Sequence, residues 1–239
     1  MNRGHNRGHW RAPALRFMSI RRVPRWGSRG SIAHGRGINV HYNPSAALGH
    51  HYSYLMQPVM KKVQAIKPNR IFELGCGNGS FAAHLTDKGY EVVGVDPSRD
   101  GIELARASAP KAQLEIGSAY DDLSSRYGQF PLVVSLEVVE HVYFPKQYAR
   151  TVFDLLEPGG TAIVSTPYHG YIKNVALAVS GKMDSHFTTL WDHGHIKFWS
   201  IKTLTTLLRG AGFGEVNFQR VGRLPVLAKS MIAVARRPL

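Results

Sequence analysis

From Arg70 onward, short apolar segments alternate with helical segments in units of about 20 residues. The apolar segments are predicted strands, at 70–74, 91–95, 112–116, 131–136, 160–166, 213–220 and 227–235. Predicted helices lie at 79–88, 99–107, 145–156 and 200–211. Such alternation is typical of a mostly parallel α/β sheet that helices cover on both faces.

The last two predicted strands are joined differently from the others. Only residues 221–226 separate them, which leaves no room for a crossover helix. A parallel pair needs such a crossover, so this pair is predicted to be antiparallel. Ahead of the first strand, residues 43–67 form a predicted helix that ends at Pro68, and Pro58 within it predicts a kink or two short helices.

The net charge of +14 belongs to the first third of the chain. Residues 1–72 contain 13 Lys and Arg and no Asp or Glu, whereas residues 73–239 contain 17 basic and 16 acidic residues. We interpret residues 1–42 as a basic, disordered leader and residues 43–239 as one domain. The leader fits a nucleic-acid arm, a transit segment, a membrane-surface arm, or an extension ahead of a start at Met18. The nearly neutral body gives no sign of a basic surface.

Cys76 is the only cysteine, so no disulfide can form within the chain. This favours a reducing, cytoplasmic compartment. No apolar run reaches the roughly 18 residues that a membrane-spanning helix needs.

A glycine-dense turn joins the first strand to the next helix, with the sequence Glu73-Leu74-Gly75-Cys76-Gly77-Asn78-Gly79. Alternate glycines let a ligand approach main-chain N–H groups, and the helix N-terminus that follows is partly positive. At the end of the second strand, the Asp96 carboxylate can accept hydrogen bonds from both hydroxyls of a ribose. A dinucleotide dehydrogenase would have its third glycine at position 80, which is Ser80. The pattern therefore indicates a nucleotide-like ligand that lacks a pyrophosphate.

Together with 92–96 (Val-Val-Gly-Val-Asp) and 155–160 (Leu-Leu-Glu-Pro-Gly-Gly), this turn resembles the class I S-adenosylmethionine-dependent methyltransferases. The resemblance covers about residues 45–237. It implies a doubly wound, Rossmann-like sheet of seven strands in the order 3-2-1-4-5-7-6, with strand 7 antiparallel. It also implies S-adenosyl-L-methionine as cofactor, bound by Glu73, Gly75, Gly77, Gly79, Asp96, Pro97, Ala119, Asp121 and Leu136. Asp121 and Asp122 have an alternative reading as helix caps.

Two carboxylates and an imidazole follow the fourth strand, at Glu137, Glu140 and His141. Their spacing places them on one face if they form a helical turn. It resembles the ubiquinone-biosynthesis O-methyltransferases, and in these and the small-RNA 3′-end 2′-O-methyltransferases such a segment binds a divalent cation. The resemblance implies that these three residues hold a cation such as Mg²⁺, which lowers the pKa of the acceptor hydroxyl. In metal-free relatives they fix the loop or touch the cofactor, and that alternative stays open.

A second cluster lies before the last predicted helix, which Ser200 is expected to cap. Its His195 has three readings: a general base, a fourth metal ligand, or a polar support for the loop. Between the clusters, residues 168–194 form a lid-like insertion, and its segment 171–179 is apolar on more than one side. That segment fits a lid over an apolar acceptor, shallow membrane contact, or a helix packed on its own domain.

We therefore expect O-methylation of a small apolar or quinone-like hydroxyl acceptor, with His141 or His195 accepting the proton. The alternatives are an RNA methyltransferase anchored by the basic leader and a cofactor-binding protein without catalysis. The expected partner is a small, lipid-like acceptor, and nucleic acid is not favoured. The expected location is cytoplasmic, with peripheral membrane contact through residues 168–182 left open.

Overall fold

The computed structural model describes residues 50–187, 189–192 and 194–239. The predicted leader at 1–42 and the predicted helix start at residue 43 lie outside these residues. The described helices are α1 (His50–Ile66), α2 (Ser80–Asp87), α3 (Arg99–Ser108), α4 (Leu123–Tyr127), α5 (Pro145–Asp154), α6 (Tyr171–Val179), α7 (Met183–Phe187) and α8 (Ile201–Gly210). The strands are β1 (Arg70–Leu74), β2 (Glu91–Asp96), β3 (Gln113–Ile116), β4 (Phe130–Leu136), β5 (Leu156–Pro167), β6 (Val216–Val221) and β7 (Ser230–Arg236).

The strands form one sheet in the order β3-β2-β1-β4-β5-β7-β6. The first five pair in parallel, and β7 runs antiparallel to both β5 and β6. The predicted fold class and strand order are confirmed. Because β1 lies between β2 and β4, the glycine turn, Asp96 and the loop after β4 meet at one edge of the sheet.

Helices cover both faces of the sheet because its central strands are apolar on both sides. One layer of buried side chains comes from α1, α2 and α3, for example Val59, Leu85 and Ile102. The opposite layer comes from α4, α5 and α8, for example Tyr148 and Leu208. Burying each large apolar side chain contributes roughly 1.5–3 kcal/mol, so these layers hold the strand ends in place.

Several predicted boundaries differ from the structure. Helix α1 continues through Pro58, so the reading as two short helices is wrong. Strand β5 begins at Leu156 rather than residue 160, because Leu156 pairs with Phe130 across a register shift in β4. The short helices α4 and α7 and the 3₁₀ turn Pro225–Leu227 were not predicted, since such short segments have weak periodicity. Ser200 caps α8 as expected, by accepting a hydrogen bond from Thr203 N–H.

None of the described helices combines the length and apolarity that a bilayer crossing requires.

Candidate active site

The glycine turn takes a backbone shape that its sequence explains. Gly75, Gly77 and Gly79 have φ values of +84°, +53° and +75°, a region that side chains with a Cβ rarely adopt. A Cβ on Gly75 would lie 2.4 Å from Val138 Cγ2, and one on Gly79 would lie 2.8 Å from Ala105 Cα. The glycines therefore allow the turn to pack closely against the loop after β4 and against α3.

Asp96 is held by the backbone of the turn. Its Oδ2 accepts a hydrogen bond from Gly77 N–H at 3.0 Å, and its Oδ1 accepts one from Ser98 N–H at 2.8 Å. Burial raises the pKa of Asp96, and these two N–H groups oppose that rise. Each oxygen keeps a further lone pair, so the carboxylate can accept two more hydrogen bonds.

A cavity of about 170 Å³ is lined by the residues on either side of Asp96 in sequence, Val95 and Pro97, although not by Asp96 itself. Its wall contains Leu74, Gly75, Val95, Pro97, Gly117, Ser118, Ala119, Tyr120, Val138, His141 and Val142. A flat apolar group can therefore lie between Pro97 and segment 117–120, with the glycine turn on one side and His141 on the other.

The other predicted cofactor residues lie at different places. Pro97 and Ala119 line the cavity, whereas Leu136 and Asp121 are not among its lining residues. The Asp121 carboxylate accepts a hydrogen bond from Ser118 N–H at 2.7 Å, and thereby closes the loop after β3. Asp122 caps α4 by accepting from Ser125 N–H at 3.2 Å, as its alternative reading proposed.

Glu73 is a buried acid directly below the turn. Its side chain is 4% exposed, and its Oε2 has no hydrogen-bond partner in the described part of the chain. Burial, and then the charge of Asp96, raise the pKa of Glu73 well above its ordinary value of 4.5. The structure thus places a carboxyl group that favours its protonated form next to the cofactor turn.

At pH 8 we expect the Glu73→Gln variant to be more stable than the parent protein, with a free energy of unfolding about 1–3 kcal/mol higher. The folded-state pKa of Glu73 is raised, so the unfolded chain releases this proton first. Stability is therefore lost as pH rises from about 4.5 toward the folded-state pKa, and glutamine removes that loss. Urea unfolding from pH 5 to pH 8 measures the effect, with the exposed Glu103→Gln as control. An unchanged pH slope in Glu73→Gln would contradict it.

The loop after β4 does not form the helical turn on which the shared-face prediction depended. Glu137 has a φ of +55°, so its side chain leaves the loop toward β5 and β7. Its Oε1 accepts a hydrogen bond from Ser165 Oγ at 2.8 Å, and its Oε2 accepts one from Ser230 Oγ at 3.4 Å. Burial raises the pKa of Glu137 to about 7. Glu137 is therefore anchored in the sheet, away from His141.

The structure instead brings Glu140, His141 and His195 together, with one ligand atom from each within 4.8 Å of the others. The two imidazole rings are 4.8 Å apart, and His195 Nε2 lies 4.0 Å from Glu140 Oε1. Glu140 is 1% exposed, and neither of its carboxyl oxygens has a partner within hydrogen-bond distance in the described part of the chain. Burial, and then the charge of Glu137, raise the pKa of Glu140.

Main-chain hydrogen bonds hold these two histidine-bearing segments against each other. The Glu140 carbonyl accepts from the N–H groups of Ile196 and Lys197 at 2.9 and 3.0 Å. Trp199 Nε1 donates to the Val139 carbonyl at 3.0 Å. His195 is therefore placed beside His141 although 54 positions separate them in sequence.

Tyr120 is a lining residue that sequence reasoning missed. Its hydroxyl oxygen accepts hydrogen bonds from the N–H groups of Tyr143 and Phe144, at 2.7 and 3.1 Å. It thus joins the segment after β3 to the loop that follows His141. The only signal in the sequence was its position between Ala119 and Asp121, which were both predicted to bind the cofactor.

The geometry can be compared with known proteins. The family described as Methyltransferase domain matches residues 48–216. The chain belongs to this methyltransferase family. The resemblance to class I S-adenosylmethionine-dependent methyltransferases, inferred from three sequence motifs, is confirmed.

Two relatives carry the name ubiquinone biosynthesis O-methyltransferase. The protein from Ruegeria pomeroyi is 35% identical over 152 residues, which cover 62% of this chain and 61% of the relative. The protein from Dinoroseobacter shibae is 34% identical over 165 residues, which cover 66% and 65%. The methyltransferase therefore matches somewhat less than two thirds of the length of these relatives.

A solved S-adenosylmethionine-dependent methyltransferase from Methanosarcina mazei has the same fold. Its TM-score is 0.57 at 21% identity, and the match covers 76% of this chain and 98% of the other. The family implies S-adenosylmethionine as cofactor, and the site fits it on two counts. The glycines of the turn have no side chains that would keep a ligand away from the backbone. The Asp96 carboxylate, between the cavity-lining residues Val95 and Pro97, can accept two more hydrogen bonds.

Proposed function

We propose that the methyltransferase transfers the methyl group of S-adenosylmethionine to a hydroxyl oxygen of a small, apolar or quinone-like acceptor. The observation that carries this proposal is the pairing of His141 and His195 at the wall of the cofactor cavity, below an apolar insertion. His141 lines the cavity itself, which supports a role for its ring next to the bound cofactor. The name of the relatives supports an oxygen acceptor.

In this mechanism the acceptor hydroxyl gives its proton to a ring nitrogen of His141 or His195. The oxygen attacks the methyl carbon in line with the carbon–sulfur bond, which breaks and leaves S-adenosylhomocysteine. Because the sulfonium is already activated, the protein contributes mainly alignment and proton removal. Asp96, Glu73 and the glycine turn hold the donor, and segment 194–199 positions His195.

The predicted cation stays a proposal, with a changed set of ligands. Glu140, His141 and His195 fit a divalent cation, because a buried carboxylate without a hydrogen-bond partner faces two imidazoles. Glu137 does not fit, because its carboxylate is turned toward Ser165 and Ser230 and is not part of the group whose ligand atoms lie within 4.8 Å of one another. When bound, such a cation would lower the pKa of an acceptor hydroxyl.

The insertion supports an apolar, lipid-like acceptor and peripheral membrane contact through residues 168–182. Helix α6 has no buried residue, and Tyr171, Ile172, Val175 and Val179 are exposed. The neighbouring turn exposes Leu224 and Val226. An exposed apolar surface of this kind, next to a reaction chamber, is typical of enzymes that take substrates from an apolar phase.

Methyl transfer to catechols with and without a long alkyl tail, in the presence of lipid vesicles, tests the proposal. We expect O-methylated product by mass spectrometry, with faster turnover of the tailed acceptor. Dialysis against a chelator followed by Mg²⁺ addition tests the cation, and recovery of activity supports it. Transfer to RNA but to no catechol would contradict the proposed acceptor class.

A further inference from the structure

Basic side chains from α6, β6 and the turn before β7 converge on Tyr168, at the edge of the proposed acceptor chamber. Lys173 Nζ donates a hydrogen bond to the Tyr168 carbonyl at 2.8 Å. The Arg220 guanidinium lies 5.8 Å from the centre of the Tyr168 ring. Arg223 is close enough for its charge to lower the pKa of Lys173, after the larger effect of burial. We call Lys173, Arg220 and Arg223 the basic rim.

The chain segments that carry the basic rim contain no acidic side chain to balance its positive charge. Residues 168–183 and 216–239, which carry the rim, contain no Asp or Glu. In the part of the chain that the structure describes, none of the three rim residues forms an ion pair within 4.0 Å. Glu137 attracts Lys173, but its carboxylate is not within ion-pair distance of the Lys173 ammonium. Lys173 is half-buried, whereas Arg220 and Arg223 are exposed. A half-buried cation without an ion-pair partner is stabilised when an anion binds beside it.

The basic rim lies on the same side of the molecule as the proposed catalytic side chain of His195. Burial, and then the charges of Lys173, His186 and His195, lower the pKa of His169, so each of these three groups lies within electrostatic reach of His169. The His169 ring is 5.1 Å from that of Phe198 and 5.5 Å from that of His186. His169, which follows Tyr168 in sequence, thus contacts Phe198, which lies three residues after His195.

Lys173 is the rim residue best placed to bind a ligand. Its ammonium has three N–H donors and uses one on Tyr168, which leaves two for a ligand. Lys173 belongs to the insertion itself and is half-buried, whereas Arg220 and Arg223 are exposed. Hydrogen bonds from a cation to a carboxylate are among the stronger ones in proteins.

We propose that Lys173, backed by Arg220 and Arg223, binds an anionic substituent of the acceptor, of the carboxylate class. The subsite rests on the proposed function, because it selects among hydroxyl acceptors that the same site methylates. An acceptor held there would carry its anion at the basic rim and its reacting hydroxyl toward His141 and His195.

The test compares a catechol that carries a carboxylate with the matched carboxamide. We expect the parent protein to prefer the acid in kcat/KM by ~10–100-fold. Lys173→Met should bring this ratio close to one by slowing the acid alone, and Lys173→Arg should keep part of the preference. Lys202→Met, at an exposed position on α8 outside the insertion, should change nothing. Because the ratio is internal, partial misfolding of a variant does not affect it.

Equal rates for acid and amide in the parent protein would overturn the subsite but leave the proposed function standing. Transfer to neither compound would instead remove the proposed function. A third outcome also overturns the subsite: Lys173→Met weakens sedimentation with phosphatidylglycerol vesicles while the acid-to-amide ratio is unchanged. The anion would then be a lipid headgroup.

Discussion

The Asp96→Asn variant is expected to bind S-adenosylmethionine about 100-fold more weakly than the parent protein. The ribose hydroxyls would donate to the two lone pairs that Gly77 and Ser98 leave free. Hydrogen bonds to a charged group are worth roughly 1.5–3 kcal/mol each, and 1.4 kcal/mol is tenfold in affinity. Asparagine keeps the size of the side chain but has only one acceptor oxygen, and its amide would oppose a backbone N–H.

Calorimetric titration with S-adenosylmethionine and S-adenosylhomocysteine measures this effect, because neither titration depends on the acceptor. The control is Asp87→Asn, an exposed aspartate at the end of α2, which should leave affinity unchanged. A melting temperature close to that of the parent would show that the turn is intact. If Asp96→Asn binds both ligands like the parent protein, the assigned cofactor site is incorrect.

The His141→Ala variant is expected to lower turnover by at least about 100-fold, since a positioned acid–base group typically contributes 10²–10⁴. Affinity for the cofactor should change by less than about tenfold, because His141 forms only one part of the cavity wall. Single-turnover measurements at saturating cofactor separate the two effects. Normal turnover would remove His141 from the mechanism.

His195, whose ring lies 4.8 Å from that of His141, provides a second test of the mechanism. His195→Ala should also lower turnover, and the double variant should lose less than the product of the two single losses if both rings act as a unit. His84→Ala, in the last turn of α2, is the matched control and should retain full turnover. Independent, multiplicative losses would mean that the two rings act separately, despite their 4.8 Å separation.

The architecture was predictable because its signals are local. Continuous apolar strands, glycines that need positive φ and the short link before β7 each constrain the backbone over a few residues. Asp96 was predicted for the same reason, since the end of a parallel strand next to a glycine turn is a defined place. The structure confirms its position at the end of β2. The predicted sheet order came from the family resemblance, and the structure agrees with it.

The reaction chamber was less predictable because its groups come from distant parts of the chain. The spacing in the sequence grouped Glu137 with Glu140 and His141. In the structure, Glu137 has a left-handed backbone conformation, which directs its side chain toward Ser165 and Ser230. The roles of the predicted site residues stay predictions, although their positions are now known. Tyr120 and Lys173 gave almost no signal, since an isolated tyrosine or lysine is ordinary on a protein surface.

The sequence by itself determined the class of fold, the glycine turn after β1 and the position of Asp96 at the end of β2. Tertiary structure alone decided which polar side chains lie together, because the loop after β4, the insertion and the β6–β7 pair come from positions far apart in the chain. Backbone preference acts between neighbours, whereas burial and charge act between whatever the fold brings together. Two such contacts depend on the fold rather than on local sequence. They are the contact of His195 with Glu140 and that of Lys173 with Tyr168.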